Sequence, residues 1–502
     1  MKNVLEYLEA SASAFPDKTA AIDAFGACTY KTLLNRCQRV GSVLAGKIDR
    51  GAPVAVFMEK GIAALCAFWG ITYAGGFYVL LNTEFPKTRL CQIQEVLQAS
   101  CIITDQVHYE TIRGIFPEQT ILNIEVLEHG AVDTKKLKEI RKHMIDTDPL
   151  YANFTSGSTG VPKGVVVSHR SVIDFIDVFN GVFEFNSTDI FANQAPFDFD
   201  VSVKDLYTAM KTGGTLVIVP KYLFSQPTKL LDFLCHHRVT VMIWAVSALC
   251  LITTFHGLSY KTPDTVRKIL FSGEVMPIKH LNLWMHHLPD TQFVNLYGPT
   301  EITCNCTYHI IDRNRTYEKG IPIGRAFDNE HVFLLDTENK EITSPGTSGE
   351  ICIRGTALAL GYFRAPEQNA AAFVQNPLNS FYPEVIYRTG DLGQYNNEGD
   401  LLFCGRKDFQ IKHMGHRIEL EEIERTLSGL PGIERCCCVF DEAKQKLYGF
   451  YIGDAQKKDI YEQLRNLLPV YMIPGALQPV ENFPLTKNGK TDRKLLLERR
   501  HM

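Results

Sequence analysis

The sequence predicts an α/β protein in which a large N-terminal core of helix-covered sheets is followed by a smaller α+β C-terminal domain. Three observations predict it. Short β-branched runs alternate with helix-period patterns through about the first 400 residues, the signature of βα units and parallel sheets. From about residue 320, strand-length segments follow one another between Gly, Pro and Asn turns, which predicts an antiparallel or barrel-like portion. The last hundred or so residues, beyond GRKDF at 405–409, form a self-contained pattern.

Taken in order, MKNVLEYLEASASAF spaces its apolar residues as an amphipathic helix and lacks the basic start and apolar centre of a secretory signal. The stretch from Gly61 to Leu81 carries no charge, yet Gly75 and Gly76 divide it. It therefore predicts a buried helix (IAALCAFWGITYA) and a buried strand (FYVLL) rather than a membrane span. Strands follow from PVAVF at 53–57, CIIT at 101–104, VVV at 165–167, TLVIV at 215–219, VTVMI at 239–243 and ILF at 269–271. The later set is EHVFLL at 330–335, GEICIR at 349–354 and DLLF at 400–403. After the boundary, Phe409 to Lys412 is strand-like, Gly415 supplies a turn, and LEEIERTL places Leu420, Ile423 and Leu427 on one helical face. Glu421 and Glu422 suit the positive end of that helix, and Gly429 stops it.

Composition excludes several classes. The AVILMFWYC set makes up 45% of the 502 residues, so the chain is globular. Lys plus Arg total 52 against 56 Asp plus Glu, a balance of −4, so no basic field exists for nucleic acid or an anionic membrane. Any bound anion must be held locally. The 14 cysteines are scattered, three of them consecutive at Cys436, Cys437 and Cys438, which fits a reducing cytoplasm rather than a disulfide framework. The pairs Cys304/Cys306 and His413/His416 supply too few ligands for a zinc site.

The chemistry is concentrated in TSGSTGVPKG, Thr155 to Gly164. Its glycines and hydroxyl residues can wrap a polyphosphate, and Lys163 adds a cation. It is not a Walker loop, because Pro162 precedes the lysine and a strand, not a helix, follows. The loop resembles the phosphate loop of the adenylate-forming superfamily of acyl-CoA synthetases, luciferases and peptide-synthetase adenylation domains. Further matches arrive in that family's order: YAGGFYVLLN (73–82), NLYGPTE (295–301), GEICIRGTALALGYFRAPE (349–367), YRTGDL (387–392), GRKDFQIKHMGHRIELEEIE (405–424), LPVYMIP (468–474) and PLTKNGKTDRK (484–494).

The resemblance implies two α/β sheet subdomains and a small β-barrel in a core of residues 1–407, and a mobile C-terminal domain, 408–502, hinged near Asp408. It implies ATP and Mg²⁺ as cofactors. Thr155, Ser156, Gly157, Ser158, Thr159, Gly160 and Lys163 would cradle phosphates; Asn295, Tyr297, Gly298 and Thr300 would line the nucleotide, with Tyr297 stacked on adenine. Glu301 would hold Mg²⁺, Asp391 would accept the ribose hydroxyls, and Arg406 would support the nucleotide. Lys490, Lys163 and Glu301 would carry catalysis, Lys490 by bridging the substrate carboxylate and the α-phosphate.

The same resemblance places Asp200, in NQAPFDFDVSVKDLY, where amino-acid-activating members hold the substrate ammonium. The segment is similar to that of D-alanine:carrier-protein ligases. The remaining pocket positions become Val201, Lys204, Ile243, Leu270, Ser272, Leu296, Cys304 and Asn305. Leu270, Ser272 and Leu296 resemble serine-activating domains instead, so a small amino acid, alanine or serine, is expected. Lys204 departs from both patterns: it pairs with Asp205, with Asp200 or with a polar substrate group, or else faces solvent. The sequence stops at Met502 without a carrier-type segment, so the expected acceptor is the phosphopantetheine thiol of a separate carrier protein, with coenzyme A as the rival. The expected protein is a cytoplasmic monomer, neither integral to a membrane nor bound to nucleic acid. A non-catalytic nucleotide-binding interaction protein is the alternative of another class.

Overall fold

The uncharged run after Gly61 folds as the helix Ile62–Tyr73, buried at every position but Ala63, followed by the buried strand Phe77–Leu80. Among the described residues no helix is long and apolar enough to cross a membrane. The computed structural model describes residues 1–157, 161–318, 320–442, 444–484 and 491–499. The chain divides into two compact units. The first is Met1–Thr83, Gln98–Asn153 and Gly164–Lys407; the second is Glu84–Leu97, Phe154–Lys163 and everything from Asp408.

The first unit contains the two sheets that the alternation predicts. One has nine strands: Arg325–Ala326, Thr307–Ile310, Gln292–Tyr297, Lys268–Ser272, Val241–Ala245, Ile190–Asn193, Thr215–Ile218, Thr19–Asp23 and Gly26–Thr29. Its interior pairs are parallel and its edges antiparallel. The β-branched runs sit in the parallel part because both faces are covered there and must be apolar throughout. The second sheet, of seven strands, runs from Gly361–Tyr362 through Lys163–Ser168, Pro149–Thr155, Phe77–Leu80, Pro53–Phe57 and Ile102–Thr104 to Ile121–Asn123. The strand-rich region beyond residue 320 forms a six-stranded antiparallel sheet around Ser348–Gly355 and Val385–Tyr395.

In the second unit Gln410–His413 pairs with His416–Glu419 across a turn in which Met414 and Gly415 both have positive φ. The helix Leu420–Ser428 then buries Leu420, Ile423 and Leu427, as its period predicts. They pack with Ile418, Cys438, Leu447, Ile460 and Leu464 over the three-stranded sheet Ile433–Asp441, Lys446–Gly453, Ala476–Pro479.

One boundary differs from the sequence reading, which assigned all of 1–407 to the core. Segments 84–97 and 154–163 cluster with residues 408 onward. Arg89 Nη1 meets Glu422 Oε1 at 2.6 Å, the side chains being only 3% and 4% exposed. Thr88 Oγ1 donates to the Asn466 carbonyl at 3.1 Å. Ser156 Oγ donates to the Arg417 carbonyl at 2.7 Å and accepts from the Glu419 N–H at 3.2 Å. Buried charge pairs and caps of this kind outweigh chain proximity.

Candidate active site

The helix Val201–Thr212 is buried from Val201 through Met210, so it lies inside the first unit. Asp200 precedes it, is buried, and makes no side-chain cap to its own helix. One turn on, Lys204 is completely buried. Its Nζ donates to Asn305 Oδ1 at 2.6 Å and lies 3.4 Å from Ser272 Oγ. The four possibilities left open for Lys204 narrow accordingly: it does not face solvent, and its direct partners are neutral.

The other expected pocket positions come from neighbouring strands. Ile243 pairs in register with Leu270, Ser272 pairs with Ala245, and Leu296 lies on the next strand, Gln292–Tyr297. All are buried, as are Val201, Cys304 and Asn305. Cys304 lies close to Asn305, its thiol 3.5 Å from Oδ1. Burial pushes that thiol up to about 12, Lys204 opposing and Asp200 reinforcing the shift. Burial thus disfavours the Cys304 thiolate that nucleophilic attack would need.

The bend that delivers Cys304 and Asn305 is strained. Thr303 has φ 50° and Cys304 φ 89°, both left-handed, and the Thr303 hydroxyl is tied to the Ala357 carbonyl at 2.6 Å. Gly298 makes the return possible: a Cβ there would stand 2.4 Å from Asn305 Cα. Glu301, on the same bend, is buried and accepts from the Tyr362 hydroxyl at 2.7 Å. Thr300 is buried beside it. Asn295 spends its amide N–H on the Pro322 carbonyl at 2.9 Å.

Tyr297 and Asp391, expected on adenine and ribose, meet each other. The Tyr297 hydroxyl donates to Asp391 Oδ2 at 2.5 Å, and Arg406, opposite Asp391 in the strand register, donates to Oδ1. Burial raises the Tyr297 hydroxyl well above its usual range, and the Asp391 charge adds to the shift. Each carboxylate oxygen retains a second lone pair for a further donor.

In the second unit, Ser156 makes the two contacts given above, and Gly157 sits where a Cβ would meet the Val161 carbonyl oxygen at 2.1 Å. Thr155 ends the strand Pro149–Thr155 and Lys163 begins the strand Lys163–Ser168. Asp408 accepts from the Gln410 N–H at 3.2 Å. Ser158, Thr159, Gly160 and Lys490 lie outside the described residues. Among the described residues, no group of three or more His, Cys, Asp or Glu forms a metal cluster.

Sequence reasoning missed a second layer. Asn193 donates to Asp205 Oδ2 at 2.9 Å, and Lys60 Nζ reaches Asn193 Oδ1 at 3.1 Å and the Gln194 carbonyl at 2.8 Å. Burial raises the Asp205 carboxyl to about 8, against the pull of Asn193, Lys204 and Lys60. It lowers Lys60 to about 7. Tyr151 is fully buried with no hydrogen-bond partner on its hydroxyl among the described residues, and after burial and Tyr78, the nearby Asp200 and Cys304 push that group further up. Neither Lys60 nor Tyr151 stands among the site residues expected from the sequence.

The family model described as AMP-binding enzyme matches residues 8–363, and AMP-binding enzyme C-terminal domain matches 422–490. Zwittermicin A synthase ZmaJ of Bacillus cereus is 31% identical over 96% of this chain and 92% of its own length. Tyrocidine synthase 1 of Brevibacillus parabrevis is 30% identical over 99% of this chain, which spans only 45% of that relative's length. Among solved structures, holo-PA1221, an NRPS protein containing adenylation and PCP domains bound to a vinylsulfonamide inhibitor, superposes with TM-score 0.85 at 25% identity. That match covers 99% of this chain and 84% of the other.

Proposed function

The chain belongs to the AMP-binding enzymes, the adenylate-forming ligases, and on that premise we propose that it activates a small amino acid with ATP and passes it to a carrier-protein thiol. The single observation that most supports an amino acid is Asp200. It is a buried carboxylate at the position where amino-acid-activating members hold the substrate α-ammonium, and a buried anion of this kind suits a cationic group. Leu270, Ser272 and Leu296 support a short side chain, of the alanine or serine type expected from the sequence. The D-alanine:carrier-protein ligases are the discrete enzymes that this reading resembles. The polar walls offered by Ser272, Asn305 and Lys204 favour a polar side chain over a methyl group.

In the proposed reaction the substrate carboxylate oxygen attacks the ATP α-phosphorus in line. A C–O–P bond forms, the bond to the β-phosphate breaks, and pyrophosphate carries away the electron pair. Positioning and charge stabilisation carry most of the rate. Lys490 is assigned the carboxylate and α-phosphate, the Thr155–Lys163 segment the leaving phosphates, and Asp391 with Arg406 the ribose. Glu301 is a single buried carboxylate. That fits Mg²⁺, which takes one or two carboxylates together with phosphate oxygens, and the ion when bound would neutralise phosphate charge. A thiol then displaces AMP from the adenylate. The carrier reading draws support from the carrier-containing relative structure, a protein with its own PCP domain.

Amino-acid-dependent exchange of labelled pyrophosphate into ATP tests the proposal. Exchange with small amino acids is expected. Exchange driven only by aryl or fatty acids, with AMP release requiring coenzyme A, would make the chain an acyl-CoA ligase instead.

A further inference from the structure

The loop from Asn193 to Asp200 carries the carboxylate to which the proposed function gives the substrate's α-ammonium, and several of its anchors come from outside its own sheet. The strand Ile190–Asn193 ends with Asn193 in register with Ile218 of the neighbouring strand, and the Asn193 carbonyl accepts from the Val219 N–H at 3.1 Å. The sheet therefore holds the chain as far as Asn193. Gln194 is the first residue beyond it, and the loop then runs to Asp200, which precedes the helix Val201–Thr212.

Lys60 stands at the exit from the strand. It follows the strand Pro53–Phe57 of the seven-stranded sheet, and its Nζ donates to the Gln194 carbonyl at 2.8 Å, to Asn193 Oδ1 at 3.1 Å and to the Asn193 carbonyl at 3.2 Å. The first contact matters most, because the Asn193 carbonyl also has the Val219 N–H. Asn193 extends the tie: its side-chain amide donates to Asp205 Oδ2 at 2.9 Å, on the helix that Asp200 precedes. One amine thus reaches both ends of the loop, its first peptide directly and the helix through Asn193. The middle of the loop is held from the same side. Asn82, just after the strand Phe77–Leu80, donates to Asp198 Oδ2 at 3.0 Å, and the Phe197 ring meets Phe68 edge to face with centroids 5.8 Å apart. Ring packing tolerates small slides, whereas hydrogen bonds weaken steeply with angle, so the polar anchors set where the loop stands along its path.

We infer that Lys60 is a positioning residue for the amino-acid site: it fixes, from the seven-stranded sheet, the loop that presents Asp200, and it acts through Asp200. This inference rests on the ligase reading and adds to it a residue outside the expected pocket. A lysine that serves stability alone would alter melting and leave the kinetic constants unchanged. One that sets Asp200 alters the amino-acid half of adenylation and spares the ATP half, because a misplacement of about 1 Å can cost a hundredfold.

The test is pyrophosphate exchange by the full chain, with the small amino acid that drives wild-type exchange fastest, for wild type, Lys60→Met, Asp200→Ala and the double variant. Methionine keeps an unbranched side chain of similar length and removes the donor. Lys60→Met is expected to raise KM for the amino acid by about ten- to a hundredfold, with KM for ATP within about twofold of wild type. In the Asp200→Ala background the same change is expected to alter kcat/KM for the amino acid by less than about threefold, since the group that Lys60 positions is gone. An unchanged KM for the amino acid, an equal rise in KM for ATP, or an undiminished loss in the Asp200→Ala background overturns the inference and leaves the ligase reading standing. Wild-type exchange with no amino acid, but with an aryl or fatty acid, overturns the reading on which it rests. If Lys60→Met does not fold, as judged by circular dichroism, Lys60→Gln, which keeps a polar but shorter side chain, carries the same expectations and decides between these outcomes.

Discussion

The buried pair between Arg89 and Glu422 ties a helix from the first hundred residues to the C-terminal segment, and it carries a quantitative expectation. The ions meet at 2.6 Å with side chains 3% and 4% exposed, so neither is rescued by solvent if the other is removed. Arg89→Met or Glu422→Leu alone therefore strands a buried charge, at a cost of about 3–5 kcal/mol. The pair is not fully compensated even when intact: Arg89 Nε and Glu422 Oε2 lack hydrogen-bond partners among the described residues. Replacing both with apolar groups should thus cost far less than the sum of the singles, giving a coupling of about 2 kcal/mol or more. All three tryptophans, Trp69, Trp244 and Trp284, lie in the first unit, so their fluorescence does not report this transition. Hydrogen exchange at the amides of Lys87–Leu97 and Leu420–Ser428 does. Each single variant should exchange faster there by about two to three and a half orders of magnitude, since each 1.4 kcal/mol is tenfold. Singles that exchange like wild type, or a double variant as fast as the product of the singles, would refute the reasoning.

Three further outcomes are expected. Asp200→Ala should lower kcat/KM for the amino acid by about a hundred- to a thousandfold in pyrophosphate exchange, the cost of leaving an ammonium without its buried partner, with KM for ATP little changed; an unaffected rate would put the ammonium elsewhere. Gly298→Ala places a methyl group 2.4 Å from Asn305 Cα, so it should cost about 1–3 kcal/mol in thermal stability and raise KM for the amino acid; an alanine variant with wild-type melting and KM would contradict the packing described. Asp205 has its pKa raised from 3.8 to about 8, so the native state binds the extra proton, and this contribution to stability is lost as pH rises through that window. Asp205→Asn should therefore gain melting temperature relative to wild type between about pH 5 and pH 7, below the range where Lys60 adds the opposite slope; a constant difference would mean that Asp205 is ionised throughout.

Much of this fold was legible from local pattern. The Gly61–Leu81 run, the β-branched strands and the Leu420–Ser428 helix each follow from a period or a breaker that acts within a few residues. That Asp200, Ser272, Cys304 and Asn305 belong to the interior was legible from motifs met in the family's order, and all four are buried in the first unit. The place of Lys204 was not legible. Every residue from Val201 to Met210 is buried, so the helix has no polar face from which the orientation of a lysine follows. The membership of Arg89 and Ser156 in the second unit was equally hidden, because their partners lie 333 and 261 residues away. Tyr297 and Asp391 illustrate a third kind of gap: each was assigned to the nucleotide separately, and only the strand register joins them to Arg406.

Single-turnover product analysis tests the central claim most directly. Enzyme in excess over ATP labelled at the α- and γ-phosphates, with Mg²⁺, a small amino acid and no thiol, is predicted to give enzyme-bound aminoacyl-AMP and pyrophosphate in equal amounts. Formation of ADP and phosphate, or of AMP only when coenzyme A is added, would contradict it.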